Sequence, residues 1–353
     1  NGVLVSAAQV IILTVYPAEK KGTMMGTYGL ATTAAPIIAP TIAGLMIDAF
    51  GWKSIFYLVL AIMLVSFVIS GIVFEDVLEL QDKKFDVLSF VMSIFAFGGI
   101  TLGIGNISSF GLVSVSAGLP LLIGVVTCIF FIIRQCSLEK PFLDVKILDR
   151  RDYAVSVLSS MVLYLVMMGS SVMMPLYVQS VMGYPAVVSG LVTLPGSLAT
   201  AVVSPFAGRL YDKMGIKKIF RIGAGALLVS NIGMYFLTMD TPIVVAAVFN
   251  VIRNLAIGSL MMPLLTWGTS NVDPKKVADA SSLLTSFRTI AGSIGSAVFV
   301  GIMTVVGKNS AAVYGEDALI HGMNVSFFWM AVGSLALLMI AVLGVRDGER
   351  QLE

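Results

Sequence analysis

Two arginines lie in stretches of the chain where a positive charge is costly. Arg253 and Arg288 fall near the middle of long apolar segments, and an arginine at the centre of a bilayer costs about 2.5–3.5 kcal/mol on insertion scales. Both side chains are therefore expected to face the interior of a helix bundle. Asn250 and Asn254 lie within about one helical turn of Arg253 and are placed to join it in a polar seam. Two roles stay open for each arginine: holding helices together, or handling a substrate or protons.

The carboxylates show the opposite distribution. All twenty lie at the ends of apolar segments or between them. A transporter driven by protons needs a carboxylate whose pKa is raised by burial, so that protons and substrate compete for it. Asp48, close to the end of one apolar segment, comes nearest to this requirement and is the candidate proton site.

Methionines cluster between residues 161 and 174, with a tyrosine among them. Such a flexible, polarizable surface suits varied apolar ligands, although helix packing explains the cluster equally well. The candidate residues for lining a substrate site are Tyr164, Met168, Met174 and Phe287. No grouping of nucleophile, base and orienting residue and no metal-ligand cluster is recognisable, so we expect neither an enzyme nor a metal or cofactor.

The composition determines which elements position these residues. Of the 353 residues, 58% are hydrophobic and 12% are charged, and the net charge of +2 does not suggest nucleic acid as a partner. Crossing a bilayer takes about 20 mostly apolar residues in a helix. We predict eleven spans, near residues 2–16, 24–47, 54–74, 87–105, 112–133, 153–178, 187–207, 217–238, 242–267, 279–306 and 324–345. The fold class is therefore an all-α membrane protein.

Loop charges orient the spans. Eighteen of the 22 lysines and arginines lie in one set of alternate loops, and only Lys53 and Lys308 lie in the other. Because positive residues prefer the cytoplasmic side, the rich set and the C-terminus are predicted to be cytoplasmic. Asp48 then lies near the outer side of the membrane. The single histidine, His321, is expected in or beside an outer loop, where solvation explains it better than a proton relay does.

One cytoplasmic loop carries a pattern beyond its charge. Residues 208–218 read GRLYDKMGIKK, and a tight hairpin between two spans explains the glycines and cations. The pattern also resembles the hairpin signature of the major facilitator superfamily, G-x-L-a-D-r-x-G-r-k. The resemblance implies a cytoplasmic latch that is remade as two halves of the protein rock. It assigns the latch to Gly208, Asp212, Lys213, Gly215, Lys217 and Lys218, while Tyr211 and Ile216 depart from the pattern.

A second segment resembles the antiporter signature of the same family, G(x8)G(x3)GP(x2)GG. The matching positions are Gly26, Ala35, Ala39, Pro40, Ala43 and Gly44, three of the signature's glycines being alanines here. Small residues four apart let helices pack closely, and a proline favours a kink. The same spacing is common in membrane helices of any function. The resemblance implies an exporter in which this helix seals against proton leak.

The resemblance covers essentially the whole chain and extends to the 14-span drug:proton antiporter branch. It implies a major facilitator fold of two six-helix bundles plus two extra linking helices, with about 11 of 14 spans present and three helices missing at the start. The expected domains are 1–75 for the rest of the first bundle, 76–150 for the linking helices and a cytoplasmic linker, and 151–353 for the second bundle. The main proton carboxylate is then expected in the missing helices.

The function implied is proton-coupled export of amphipathic, often cationic, drugs or toxic compounds by alternating access. The expected partners are small amphipathic substrates, protons and the lipid bilayer. The proton gradient is the expected energy source, and no cofactor is expected. The protein is expected to be a monomer in a bacterial plasma membrane. The alternative is a transporter of the same fold that is specific for a metabolite, lipid or amino acid. A membrane scaffold or sensor is a further alternative, and nothing resembles an attached signalling domain.

Overall fold

The computed structural model describes residues 39–73, 86–111, 113–138, 141, 145–270, 272 and 276–345. At residues 108, 109, 205, 212 and 277–279 it describes only the backbone. Within these residues all regular structure is helical, which confirms the all-α fold class. The first predicted span, 2–16, and the signature positions Gly26 and Ala35 lie outside the described residues.

Nine helical segments of 12 residues or more follow in chain order in the described part, and one of them, Ala186–Tyr235, joins two helices across a kink at Gly215. They are α1 Ala39–Phe50, α2 Lys53–Val73, α3 Val87–Phe110, α4 Val115–Ser137, α5 Arg151–Leu176, α6 Ala186–Tyr235, α7 Ile243–Ser270, α8 Val277–Tyr314 and α9 Ala318–Met339. A 3-10 turn, Val145–Asp149, precedes α5, and π-helical turns, Tyr177–Val181 and Ile340–Gly344, extend α5 and α9. By length and composition, seven segments of the described part can cross a membrane, and the last of them, Ala280–Gly344, includes both α8 and α9.

The chain forms two compact units. The first contains Asn1–Phe85 and Pro185–Leu194, so its described part is α1, α2 and the first turns of α6. Helix α2 is strongly apolar, and Ser54 is its one buried residue. The hydroxyl of Ser54 donates to the carbonyl oxygens of Met46 and Gly51, at 3.0 and 2.6 Å, which fixes the turn from α1 into α2.

The second unit contains Asp86–Tyr184 and Pro195–Glu353. Helices α5, α7, α8 and α9 pack together in it. Serine hydroxyls join neighbouring helices through backbone carbonyls: Ser156 donates to the carbonyl oxygen of Leu264 at 2.5 Å, and Ser326 donates to that of Phe299 at 2.9 Å. In lipid such bonds satisfy polar groups that water cannot reach, so they position the helices that carry the site.

The predicted linking helices α3 and α4 form a tight hairpin in the second unit, and α3 also packs on α8. Asp86 caps α3 through the amide and the hydroxyl of Ser89, and Arg134 at the end of α4 donates to Asp86 at 3.0 Å. The Ser89 hydrogen bonds, followed by that from Arg134, lower the pKa of Asp86 to about 2. This cluster holds the start of α3 against the end of α4, at the open end of the hairpin.

Adjacent glycines on α3 provide a test of the hairpin packing. A Cβ on Gly99 would lie 2.7 Å from the Pro120 carbonyl oxygen and 2.8 Å from Cα of Gly124, whereas a Cβ on Gly98 would meet nothing within 4 Å. Gly99→Ala is expected to destabilise the protein by about 1–3 kcal/mol through overpacking. Gly98→Ala should stabilise it slightly, since alanine is the better helix former. Thermal unfolding in detergent measures both, and equal midpoints for the two variants would contradict the packing described.

In the structure, residues 208–218 differ from the predicted hairpin in the position of the turn. Helical structure continues from Ala186 through Gly208, and the one residue with non-helical geometry is Gly215, with φ 74° and ψ 163°. Gly208 lies within the helix and has no positive φ, so its expected role in a turn is wrong. The two predicted spans, 187–207 and 217–238, are thus the two limbs of α6. Only glycine adopts this φ readily, so the change of direction concentrates at Gly215.

Candidate functional site

Two polar clusters lie among the helices of the second unit. The first is built by α5, α7 and α8 around Tyr164, whose side chain is 8% exposed. The guanidinium carbon of Arg288 lies 4.8 Å from the centre of the Tyr164 ring. The Tyr164 hydroxyl donates to the sulfur of Met261 on α7 at 3.7 Å. Three helices therefore meet at one aromatic ring that carries a cation on its face.

Small residues on α8 bring this cluster together. A Cβ on Gly292 would lie 2.8 Å from Cγ of Met168 and 3.6 Å from the Tyr164 ring. A Cβ on Gly295 would lie 2.8 Å from the carbonyl carbon of Leu165. The backbones of α5 and α8 are thus in close contact beside Met168. Close approach of this kind is the usual means by which small residues join membrane helices.

Arg288 is half-buried, and its Nε atom is buried without a hydrogen-bond partner among the described residues. The arrangement suits recognition of a polarizable or aromatic ligand, because the guanidinium lies over the ring, the Met261 thioether bonds the ring's hydroxyl and Met168 lies beside Gly292 on α8. The guanidinium also supplies donors for an electronegative group on such a ligand. The side chains of this cluster suit ligand recognition and do not pair a nucleophile with a base for bond cleavage.

The second cluster lies on α7, at the residues for which the sequence predicts a polar seam. Arg253 is 2% exposed and Asn250 is also 2% exposed. The Nη2 atom of Arg253 donates to Oδ1 of Asn250, which also accepts from Nδ2 of Asn254 at 3.1 Å. Nη1 of Arg253 and Nδ2 of Asn250 are buried without partners in the described part of the chain.

Helix α6 completes this seam with two residues that the sequence did not single out. Thr200 donates to the backbone oxygen of Asn254 at 3.0 Å. A Cβ on Gly196 would lie 2.6 Å from Nδ2 of Asn254 and 2.8 Å from Nδ2 of Asn250. The glycine therefore makes the space that the two amides occupy. The sequence does show a glycine and a threonine four positions apart here, but this spacing is common in membrane helices and does not single out a site.

The remaining predicted lining residues lie elsewhere. Met174 is fully buried, and Phe287 packs on a core cluster formed by Tyr153, Ala280, Leu283 and neighbouring apolar residues. The structure thus brings Tyr164 together with Arg288, with Met168 beside the same stretch of α8, and it places Met174 and Phe287 in the apolar core. His321 lies in the first turn of α9 and stacks on Tyr314, with ring centres 4.1 Å apart.

The structure describes only some residues of the two family signatures. Lys213 and Lys218 are exposed and Lys217 is half-buried, and the Asp212 side chain lies outside the description. On α1, Pro40 and Ala43 are half-buried, Ala39 is exposed and Gly44 is buried. Both oxygens of Asp48 accept hydrogen bonds from amides at the start of α6. The roles predicted for these residues stay predictions. No cluster of three or more metal-ligating side chains occurs within the described residues.

Apolar helices of membrane-spanning length, joined by buried serines and enclosing the buried Arg253, define the class: the chain is an integral membrane protein of the multi-helix type. Its residues 1–296 match the Major Facilitator Superfamily, and the chain belongs to that family. Members of this family are transporters and not enzymes. The resemblance suggested by the hairpin and antiporter signatures is thereby confirmed.

The individual relatives include a drug-resistance protein and a riboflavin transporter. The chain is 30% identical over 334 residues to the uncharacterized MFS-type transporter YcnB of Bacillus subtilis, a match covering 95% of this chain and 71% of the relative. It is 31% identical over 296 residues to the lincomycin resistance protein LmrB of the same organism, covering 83% and 61%. It is 26% identical over 302 residues to the riboflavin transporter RibZ of Clostridioides difficile, covering 84% and 64%. The chain thus spans about two thirds of the length of these relatives.

Proposed function

We propose that this chain forms most of a secondary transporter that exports amphipathic drugs or toxic compounds from a bacterial cell, driven by inward proton flow. Alternating access between two helical bundles would carry the substrate across the membrane. The observation that supports this best is the cluster of Tyr164, Arg288 and Met168, an aromatic and thioether surface with one cation at the junction of three helices. Similarity to a lincomycin resistance protein supports drugs as the substrate class.

A second candidate function is export or uptake of one specific metabolite. Similarity to a riboflavin transporter favours it, and the same cluster suits a planar aromatic metabolite as well as a drug. The two candidates differ in how many unrelated compounds they carry. A specific carrier should discriminate strongly between substrates, because a site built around one ligand leaves its polar groups unpaired when another binds.

The test is efflux from cells that lack their own drug pumps and express the full-length protein. A fluorescent lipophilic cation, lincomycin and riboflavin serve as substrates, each with and without a protonophore. Export of the cation and lincomycin that stops with the protonophore is expected. Export of riboflavin alone would favour the metabolite carrier, and cation export that persists without a proton gradient would contradict proton coupling.

Asp212→Asn is expected to slow transport several-fold while leaving membrane insertion intact. The family resemblance makes Asp212 part of a latch that is remade in each cycle, and its backbone lies three residues before the break in α6 at Gly215. Asp240→Asn, an exposed acid between α6 and α7, is the matched control. Initial efflux rates, normalised to the amount of protein in the membrane, measure the effect. An Asp212→Asn rate equal to that of the control would count against the latch.

A further inference from the structure

Cations from two separate loops lie around one corner of the second unit, at the start of α5. One comes from the 3-10 turn before α5, two from the junction of that turn with α5, and one from the residue before α8. They are Lys146, Arg150, Arg151 and Lys276, here called the basic corner, and all four are exposed. The two loops are far apart in sequence, so the packing of α5, α7 and α8 brings these cations together.

Two hollows lie within the basic corner. The first has a volume of about 160 Å³ and is lined by Arg150, Arg151, Asp152, Tyr153, Gly268 and Val272. The second has a volume of about 170 Å³ and is lined by Lys146, Ile147, Arg150, Val272 and Lys276. Arg150 and Val272 border both hollows, which makes them neighbours. A cavity of about 150 Å³ holds a molecule the size of benzene, so each hollow has room for a phosphate group.

The floor of the hollows belongs to the packed core. Ile147, Tyr153 and Val272 are buried and are members of one apolar cluster with residues of α8. The Tyr153 hydroxyl donates to the carbonyl oxygen of Ala280 on α8 at 2.7 Å. The bond from Ser156 to the carbonyl oxygen of Leu264 joins the same part of α5 to α7. A junction of three helices therefore holds the basic corner in place.

The charge of the lining favours an anion. Four cations and one carboxylate, that of the half-buried Asp152, line the two hollows. Arginine presents a planar fork of donors that matches the oxygens of a phosphate. Both loops belong to the set predicted to face the cytoplasm, where a bacterial membrane presents anionic headgroups just outside the spans. Basic pockets between helices on that side of a membrane are suited to such headgroups.

We propose that the basic corner binds the phosphate headgroup of an anionic phospholipid from the cytoplasmic leaflet. The headgroup lies against Arg150, which borders both hollows, and links the loop before α5 to Lys276 at the start of α8. This lipid site is separate from the Tyr164 and Arg288 cluster. It goes beyond the proposed function, because it requires the predicted topology but not the export of drugs.

Tryptophan quenching in reconstituted membranes tests the lipid site. Trp267 precedes Gly268, which lines the first hollow, so it reports lipid bound there in a full-length protein in which it is the only tryptophan. Phosphatidylglycerol and phosphatidylcholine are compared, each with brominated acyl chains that quench the fluorescence. With the basic corner intact, phosphatidylglycerol is expected to bind at least about fivefold more strongly, since a single cation near the membrane surface contributes about that factor.

Two double variants and a control separate the site from general surface charge. Arg150→Gln with Lys276→Gln is expected to lower the preference about fivefold or more. Arg150→Lys with Lys276→Arg keeps both charges and should keep the preference. The control is Arg209→Gln with Arg221→Gln, which removes two exposed cations of α6 that are also predicted to be cytoplasmic, and it should bind lipid as the unchanged protein does.

Three results would overturn the proposal. The first is equal binding of the two lipids by the protein with an intact basic corner, and the second is an equal loss of preference in the control pair. The third is displacement of the brominated lipid by millimolar inorganic phosphate at constant ionic strength, which would assign the basic corner to soluble phosphates. The measurement needs neither a drug nor a proton gradient, so a failure of drug export leaves its result interpretable.

Discussion

Replacing Arg288 by alanine is expected to reduce the transport rate by about tenfold or more while the protein stays folded. A cation over an aromatic ring in a half-buried site is worth about 1–2 kcal/mol, and each 1.36 kcal/mol of lost transition-state stabilisation lowers a rate tenfold. Arg288 lies 4.8 Å from the Tyr164 ring at the junction of three helices. Its removal takes away both the charge and one face of the candidate binding surface.

Variants of the same pair separate charge from shape. Arg288→Lys keeps the charge but loses the planar group, so an intermediate rate is expected. Tyr164→Phe keeps the ring and loses only the hydroxyl bond to Met261, and should remain close to the wild type; Tyr164→Leu should resemble Arg288→Ala. Thr289→Ala, an exposed neighbour on α8, is the control. Export at the wild-type rate by both Arg288→Ala and Tyr164→Leu would rule out this cluster as the substrate site.

Replacing Arg253 by methionine is expected to abolish most transport without lowering thermal stability. A fully buried guanidinium with one unpartnered nitrogen carries a desolvation cost that an apolar side chain of similar length does not. Asn250 still accepts a hydrogen bond from Asn254 at 3.1 Å after the change, so no new unpaired acceptor is created. A costly charge of this kind is retained in a membrane protein chiefly where function needs it.

The two roles that the sequence leaves open for Arg253 give different results in this experiment. Thermal unfolding in detergent and efflux rates in cells are measured together, with Arg253→Lys as the charge-conserving control. An unchanged or higher unfolding midpoint with a tenfold slower rate supports a functional role. A midpoint that falls by several degrees, with transport falling only in proportion to the amount of folded protein, would show that Arg253 serves to hold helices together.

The predicted spans agree closely with the described helices. The span predicted at 54–74 is the helix Lys53–Val73, and the one at 153–178 is Arg151–Leu176 with its π-helical extension. Such agreement has a simple cause, since the bilayer requires a continuous apolar segment of fixed length and charges accumulate just outside it. The turn between the limbs of α6 was predicted less well, because helix can continue through charged residues until a glycine takes a positive φ at Gly215.

The membership of the candidate clusters was only partly predictable. The sequence predicted that Asn250, Arg253 and Asn254 lie close together, because residues three and four apart share one face of a helix. Contacts between helices were not predictable in this way: Arg288 meets Tyr164, and Gly196 lies against Asn254. One sequence carries no information on which face of one helix meets which face of the next when most faces are apolar.

The sequence alone indicated that this protein is a bundle of membrane helices with arginines inside two of its spans, and its two signatures indicated the family. Those properties depend on local composition and on spacing, which a bilayer converts directly into structure. Only the tertiary structure placed a cation on the Tyr164 ring and gave Asp48 to the amides of α6. Both contacts join residues more than 100 positions apart, and their formation depends on glycines that allow two particular helix backbones to touch.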